Sequence, residues 1–241
     1  MSLISILLLL SCANEKASTY ENKATTRDIA VKDFSEINLS SSACIHFKQG
    51  DTTSVKLSCD AGDMDKIIIQ NDGNTLVVRH KNKKGFNMFD FSPTGDINVF
   101  VTSPNLRGIT ISGSGDFEAE NNIDTDRMKI RISGSGCVNL NEIICNSTDI
   151  IITGSGKTDI GQLKCGAATT KITGSGGIDI EKMQTGSGLF IITGSGEINI
   201  NNAFINDAKC KITGSGDISI SGKVKAFKKQ VSGSGEISIN N

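Results

Sequence analysis

Tryptophan is absent from the 241 residues, tyrosine occurs once and proline twice. Without indole or phenol platforms, a carbohydrate site built on stacked rings is excluded, and so is an aromatic-rich nucleic-acid surface. Two histidines, His46 and His80, leave little for a histidine-based metal centre or a hydrolase triad. Net charge is nearly absent as well. The 25 Lys+Arg stand against 26 Asp+Glu, a balance of -1, so nothing marks the chain for nucleic acid or an acidic polymer. The seven cysteines contain no C-x-x-C pair, which removes the usual sequence signature of structural zinc and of a thioredoxin-like redox site. The expectation is therefore no catalytic residues, no metal and no cofactor.

Long hydrophobic runs are missing too. Residues 3–10 (LISILLLL) would rise about 12 Å as a helix, well short of the roughly 30 Å core of a bilayer. Such a run suits the apolar part of a cleaved export signal. Leu9-Leu10-Ser11-Cys12 resembles a bacterial lipobox, in which the cysteine is acylated and becomes the first residue. The expectation is a signal over 1–12, lipidation at Cys12, export, and attachment to the outer membrane through that anchor alone. Residues 13–27 are polar and aperiodic, as a flexible tether would be.

What is abundant is glycine, 26 residues, and it is phased. Ile-Ser-Gly-Ser-Gly at 111–115 and 132–136 is followed by Ile-Thr-Gly-Ser-Gly at 152–156, 172–176, 192–196 and 212–216, then Val-Ser-Gly-Ser-Gly at 231–235. Seven copies about 20 residues apart are a specific signal of a solenoid. Two residues before each first glycine stand Ile111, Ile132, Ile152, Ile172, Ile192, Ile212 and Val231; four after it stand Phe117, Val138, Thr158, Ile178, Ile198, Ile218 and Ile237. Further apolar columns fall six after (Leu140, Ile160, Ile180) and eleven and nine before the next glycine (Ile143, Cys145; Leu163, Cys165). Pairs spaced by two are short strands with one buried face, and three per turn describe a three-sided coil. The predicted fold over 109–241 is an all-β, single-stranded parallel β-helix. Both glycines of the phrase are placed on the inward parity of a tight corner, where a side chain would collide. Gly186-Ser187-Gly188 is out of phase and reads as a turn. A phosphate-cradling role is rejected, because no helical period follows the glycines.

The columns also place the other six cysteines (Cys44, Cys59, Cys137, Cys145, Cys165 and Cys210), most of which are expected as small core residues. Cys145 and Cys165 should stack as reduced thiols, since in-register parallel side chains run side by side and cannot reach the disulfide dihedral without strain. Residues 28–108 are β-rich but irregular, and are expected to lead into the solenoid without a linker and to cap one end. Within them, residues 65–80 read as a hairpin turning at Asn71-Asp72-Gly73-Asn74. Residues 81–91 (KNKKGFNMFDF) break the pattern with charge and aromatics, as a surface loop does, with a local functional insertion as the alternative.

Several segments together resemble a known family: Phe34-Ser35-Glu36-Ile37, the Asp72-Gly73-Asn74-Thr75-Leu76 turn, Val101-Thr102-Ser103-Pro104-Asn105-Leu106 and the Ile-Ser-Gly-Ser-Gly-Asp phrases. In this ordered combination, over about residues 30–239, the chain is similar to the head GIN domain family of putative auto-transporter adhesins. The resemblance implies an exported β-helical domain and transfers no catalytic motif.

On the outer face, the column five after the glycine reads Glu118, Asn139, Asp159, Asp179, Asn199, Ser219 and Ser238. Asp159 and Asp179 are expected about 4.8 Å apart on adjacent coils, within a polar ladder that faces solvent. With Asn199 they are the candidate ligand-binding residues. A carboxylate pair can share a proton or hold Ca²⁺, but no Arg or His column accompanies it, and nearby positive charge comes from scattered lysines. The outward Ser and Thr of the phrase suit a corner rather than a repetitive ligand surface. The reading is a non-enzymatic adhesion or binding protein of the cell envelope, with glycans or envelope and host surface components as partners. A polysaccharide-acting enzyme or carbohydrate-binding module is the alternative, and self-association through uncapped coils a second.

Overall fold

The computed structural model describes residues 24–81 and 95–240. Cys12, the signal and nearly all of the 81–91 loop lie outside them. Among the described residues there is no helix, and every strand belongs to one 17-stranded sheet wound on itself.

In chain order the strands are β1 (Thr25–Ile29), β2 (Glu36–Ser40), β3 (Cys44–Gln49), β4 (Ser54–Cys59), β5 (Ile67–Asp72), β6 (Thr75–His80), β7 (Asn98–Ser103), β8 (Gly108–Gly113) and β9 (Asp116–Ala119). They continue as β10 (Ile123–Asp124), β11 (Arg127–Gly134), β12 (Cys137–Gly154), β13 (Lys157–Gly174), β14 (Gly177–Gly194), β15 (Glu197–Gly214), β16 (Asp217–Gly233) and β17 (Glu236–Asn240).

The repeat is a parallel β-solenoid. β12 to β15 pair in parallel at an offset of one sequence repeat, with Ile152, Ile172, Ile192 and Ile212 in one stack. Each coil is a single strand of 18 residues rather than three separate ones. Its three sides show in the burial. In β13, Thr158 and Ile160 point inward, then Leu163, then Ala168, Thr170 and Ile172. Half-buried Cys165 completes the second set, and two consecutive residues turn each corner, Gly161 and Gln162 and then Gly166 and Ala167, which lets the strand bend while keeping its pleat. The third side thus buries three residues per coil, two more than the apolar spacing reveals. Small or polar side chains such as Thr148, Ala168 and Ala208 occupy part of it and mask the period.

Gly-Ser-Gly closes the third corner, and its two glycines do different work. The first has φ between +118° and +130° in every copy, a conformation that penalises any side chain. It is exposed or half-exposed, not inward as the parity argument places it. The second is buried in the regular coils: a Cβ on Gly176 would lie 2.6 Å from both Ile152 Cγ2 and the Gly156 carbonyl oxygen. Between them the serine N–H donates to the first-glycine carbonyl of the coil below, as in Ser175 to Gly154 at 2.9 Å. Gly186 and Gly188 form no separate turn. They lie within β14, where Gly188 leaves room for the ring of Phe190, which a Cβ would meet at 2.5 Å.

The irregular half obeys the same winding. β2 and β3 stack in parallel on β8 and β9, with Leu39 opposite Ile111 and Cys44 opposite Asp116. Leu39-Ser40-Ser41-Ser42-Ala43 is therefore a glycine-free version of the corner phrase. Beneath Ser42 there is no glycine carbonyl. Its N–H donates instead to His80 Nε2 at 3.3 Å. β6 and β7 underlie β2 and β3 in the next layer. β5 and β6 form the expected hairpin, with Gly73 at φ +57°. β4 and β1 add antiparallel strands to β7. Thr25 to Arg27, at the end of the segment read as a tether, are thus strand, held by the β4 edge and by an Arg27–Asp65 ion pair of 3.0 Å.

Four of the six cysteines belong to the core, as expected: Cys59 and Cys210 are buried, and half-buried Cys145 and Cys165 pack against it. Cys44 and Cys137 are half-buried, and all six are free. Cys44 and Cys137 sit at outward positions of the first side, which the hydrophobic columns do not register.

Candidate functional site

Two outward columns run along the first side of the coils. One reads Cys44, Asp116, Cys137 and Lys157; the other, two residues on, reads His46, Glu118, Asn139, Asp159, Asp179 and Asn199. The strand repeat of two puts Lys157 on the same face as Asp159, and in-register stacking puts Asp179 beside them. The Lys157 ammonium lies 2.8 Å from Asp159 Oδ1 and 2.9 Å from Asp179 Oδ2. Asn199 Nδ2 donates to Asp179 Oδ1 at 2.9 Å.

The structure therefore brings all three candidates, Asp159, Asp179 and Asn199, into one ladder. It also corrects their electrostatics, because the cation is built into the ladder and not scattered around it. Hydrogen bonds to Asp159 and then Asp179 hold the Lys157 proton more firmly than usual. Partial burial pushes Asp179 up, but its bonds from Lys157 and Asn199 outweigh that and keep the carboxyl below its ordinary range. Asp179 is therefore not set up to hold a proton near neutrality.

Beside the ladder lies an open trough of about 500 Å³. Glu118, Asn139, Asp159 and Asp179 line one wall, Asn141, Glu181 and Asn201 the other, and Ala119, Leu140, Ile160 and Gly161 form the base. Glu181 is fixed by Asn201 Nδ2, 2.7 Å from Oε2. The second wall is absent from the sequence reading. Its column recurs every 20 residues (Asn141, Glu181 and Asn201, with Gly161 of the base between the first two), but it lies at a corner, where two consecutive outward residues defeat the two-residue period.

Two further groups of reactive side chains assemble. Cys145 and Cys165 are register partners; Cys165 Sγ–H donates to Thr185 Oγ1 at 3.5 Å, and Cys145 Sγ lies 2.9 Å from Thr148 Oγ1. The interaction between the two thiols, against the opposing effect of burial, lowers the Cys145 thiol from its ordinary value, while the same interaction and burial raise Cys165. Among the described residues one set of metal-ligating atoms converges, from Cys44, His46 and Glu118, all within 4.8 Å of one another.

Solved structures of similar form are known. A "putative lipid binding protein" from Parabacteroides distasonis is 25% identical with a TM-score of 0.80, covering 92% of this chain and 98% of its own. A "putative adhesin" from Bacteroides fragilis is 24% identical at TM-score 0.80, covering 90% and 97%. Another "putative adhesin", from Parabacteroides merdae, is 21% identical at TM-score 0.73, covering 92% and 98%. No curated protein matches the chain. The family described as "Putative auto-transporter adhesin, head GIN domain" matches residues 33–203 and again 188–241. Together these matches span the solenoid and the irregular coils that precede it, and the chain belongs to that family.

Proposed function

We propose that the protein is a non-enzymatic binding protein of the cell envelope whose polar trough engages glycans. The observation that carries this reading is the trough itself: carboxylate and amide side chains repeat along it at the coil spacing of about 4.8 Å, oriented by their own hydrogen bonds. Acceptors and donors in that order suit the hydroxyls of a saccharide chain. With no aromatic residue in the lining, each contact is weak, and affinity comes from engaging several coils at once. The family name, which speaks of adhesins, agrees with a binding role.

The enzyme alternative is disfavoured by the ladder. A glycosidase needs one carboxyl that keeps its proton near working pH, whereas Lys157 and Asn199 favour the ionised form of Asp179. Export and attachment by a lipid on Cys12 complete the proposal, resting on Leu9-Leu10-Ser11-Cys12. A glycan array of envelope and host saccharides, paired with assays for new reducing ends and unsaturated products, tests the reading. Retention without turnover, lost on Asp159→Ala together with Asp179→Ala, is expected. Turnover abolished by either substitution would replace the binding role with catalysis. A Cys12→Ala variant should leave the membrane fraction; one that stays membrane-bound would refute the anchor.

A further inference from the structure

We propose that Cys44, His46 and Glu118 form a site for a divalent transition-metal ion of the zinc class, between the coil that precedes the first Gly-Ser-Gly and the strand that follows it. The three ligands come from two stacked strands. Cys44 and His46 are two apart on β3 and share its outward face, and Glu118 on β9 is the register partner of His46. Their ligand atoms lie within 4.8 Å of one another, and His46 Nδ1 is already 3.6 Å from Glu118 Oε2. In a tetrahedral zinc centre, bond lengths of about 2.0–2.3 Å place ligand atoms roughly 3.3–3.6 Å apart. Side-chain rotation on a fixed backbone covers the difference.

The histidine is held as a metal ligand is held. Its Nε2 lies 2.8 Å from Asn98 Oδ1, and its ring stacks on Phe100 with centroids 5.0 Å apart and planes inclined by 19°. An Nε2–H donated to Asn98 leaves the Nδ1 lone pair directed at Glu118. Fixing the far nitrogen with a carbonyl is the usual way a ligating imidazole is oriented and its tautomer chosen. In the neutral ring that arrangement sets a lone pair, a carboxylate and a sulfur against one another, which a cation between them resolves.

Among the described residues no lysine or arginine supplies that cation. Among the described residues Glu118 has an ion-pair contact with His46 alone, and Lys157 is engaged by Asp159 and Asp179. Sulfur and imidazole donors select zinc, cobalt and their neighbours over calcium or magnesium, which prefer oxygen. Three protein ligands leave a fourth position open, and with the Glu118 side chain 49% exposed it faces solvent. The Cys-x-His spacing is visible in the sequence, but its third ligand is not, because only the stacking of β9 on β3 brings Glu118 to it.

The test uses the full chain, freed of metal and titrated with Zn²⁺ alone and with Co²⁺ alone. The expected result is one ion per chain, with Co²⁺ giving a thiolate-to-metal charge-transfer band. Cys44→Ser should abolish that band, and His46→Gln should weaken binding at least about 10-fold. Asn98→Leu should lower affinity by about 10- to 100-fold at unchanged stoichiometry, as loss of an orienting partner does. Cys145→Ser should change nothing, which separates this site from the other paired thiols. Glu118→Gln, at an exposed position, keeps the test valid should Cys44→Ser misfold by circular dichroism, and it too should weaken binding. Absence of stoichiometric binding, or a charge-transfer band that survives Cys44→Ser, or affinity unchanged in Glu118→Gln, would overturn the proposal.

Discussion

At the scale of single residues, neighbouring glycines can have opposite importance. Gly176 faces the core, where a Cβ would meet Ile152 and the Gly156 carbonyl at 2.6 Å. Gly177, next in the chain, would place a Cβ 3.7 Å from Lys157 Cγ, an ordinary contact. Gly176→Ala should cost about 1–3 kcal/mol by overpacking, whereas Gly177→Ala should be neutral or slightly stabilising. Thermal melts of the two variants check this, and equal Tm values would contradict the corner geometry. His80 is a different kind of residue-scale device, an imidazole accepting where other coils offer a carbonyl. Burial lowers its pKa from the ordinary 6.5, against a smaller upward push from Asp63. The unfolded chain then binds the proton more readily than the native one. Its contribution to stability is whole above about 6.5 and is lost as pH falls from there through the depressed native value. Melts between pH 8 and 5 should show that decline, and His80→Gln, which keeps an acceptor but does not titrate, should flatten it. An unchanged slope in His80→Gln would assign the decline elsewhere.

At the scale of the strand, inward columns decide stability, and not all of them are apolar. The Thr158 and Thr170 hydroxyls are buried without a hydrogen-bond partner. Thr158 stands between Val138 and Ile178 in its stack. Thr158→Val should therefore stabilise by about 1 kcal/mol, the desolvation of one unsatisfied hydroxyl, and raise Tm by about 2–4 °C. A lowered Tm would mean that the hydroxyl has a partner in solution. This scale also shows how far a linear chain discloses its winding. Isoleucines before each corner and on the next strand are strictly phased, so the solenoid and its three sides were legible. The coil formed by β2 and β3 was not, because Leu39-Ser40-Ser41-Ser42-Ala43 carries the geometry without a glycine. The Asp159, Asp179 and Asn199 column was readable for the same reason as the core: it shares the strand's period of two. Lys157 was equally in reach, two residues before Asp159. Asn141, Glu181 and Asn201 were not, since corner residues break that period, and Glu118 joined Cys44 and His46 only through stacking.

At the scale of the whole molecule, each coil touches little beyond its two neighbours, so the fold is a one-dimensional stack with two unlike ends. The first end is closed by the β5–β6 hairpin and by antiparallel β4 and β1. At the other, β17 pairs with residues 217–221 of β16, and among the described residues no further strand covers the rest of it. Lys223, Lys225, Lys228 and Lys229 stud it, with Lys225 5.3 Å from the Phe204 ring and Lys229 5.2 Å from that of Phe227. Charged side chains on an exposed edge discourage further strand addition. In the proposed reading the sides of the stack are the working surface, and the first side carries the Lys157 ladder and one wall of the trough. The most direct measurement is a nuclear magnetic resonance titration that follows asparagine side-chain amides as the best-retained array glycan is added. Asn139, Asn141 and Asn201 should shift together, while Asn71, bonded to the Lys32 backbone far from the trough, should not. Shifts confined to other faces, with the three trough amides unmoved, would contradict the account.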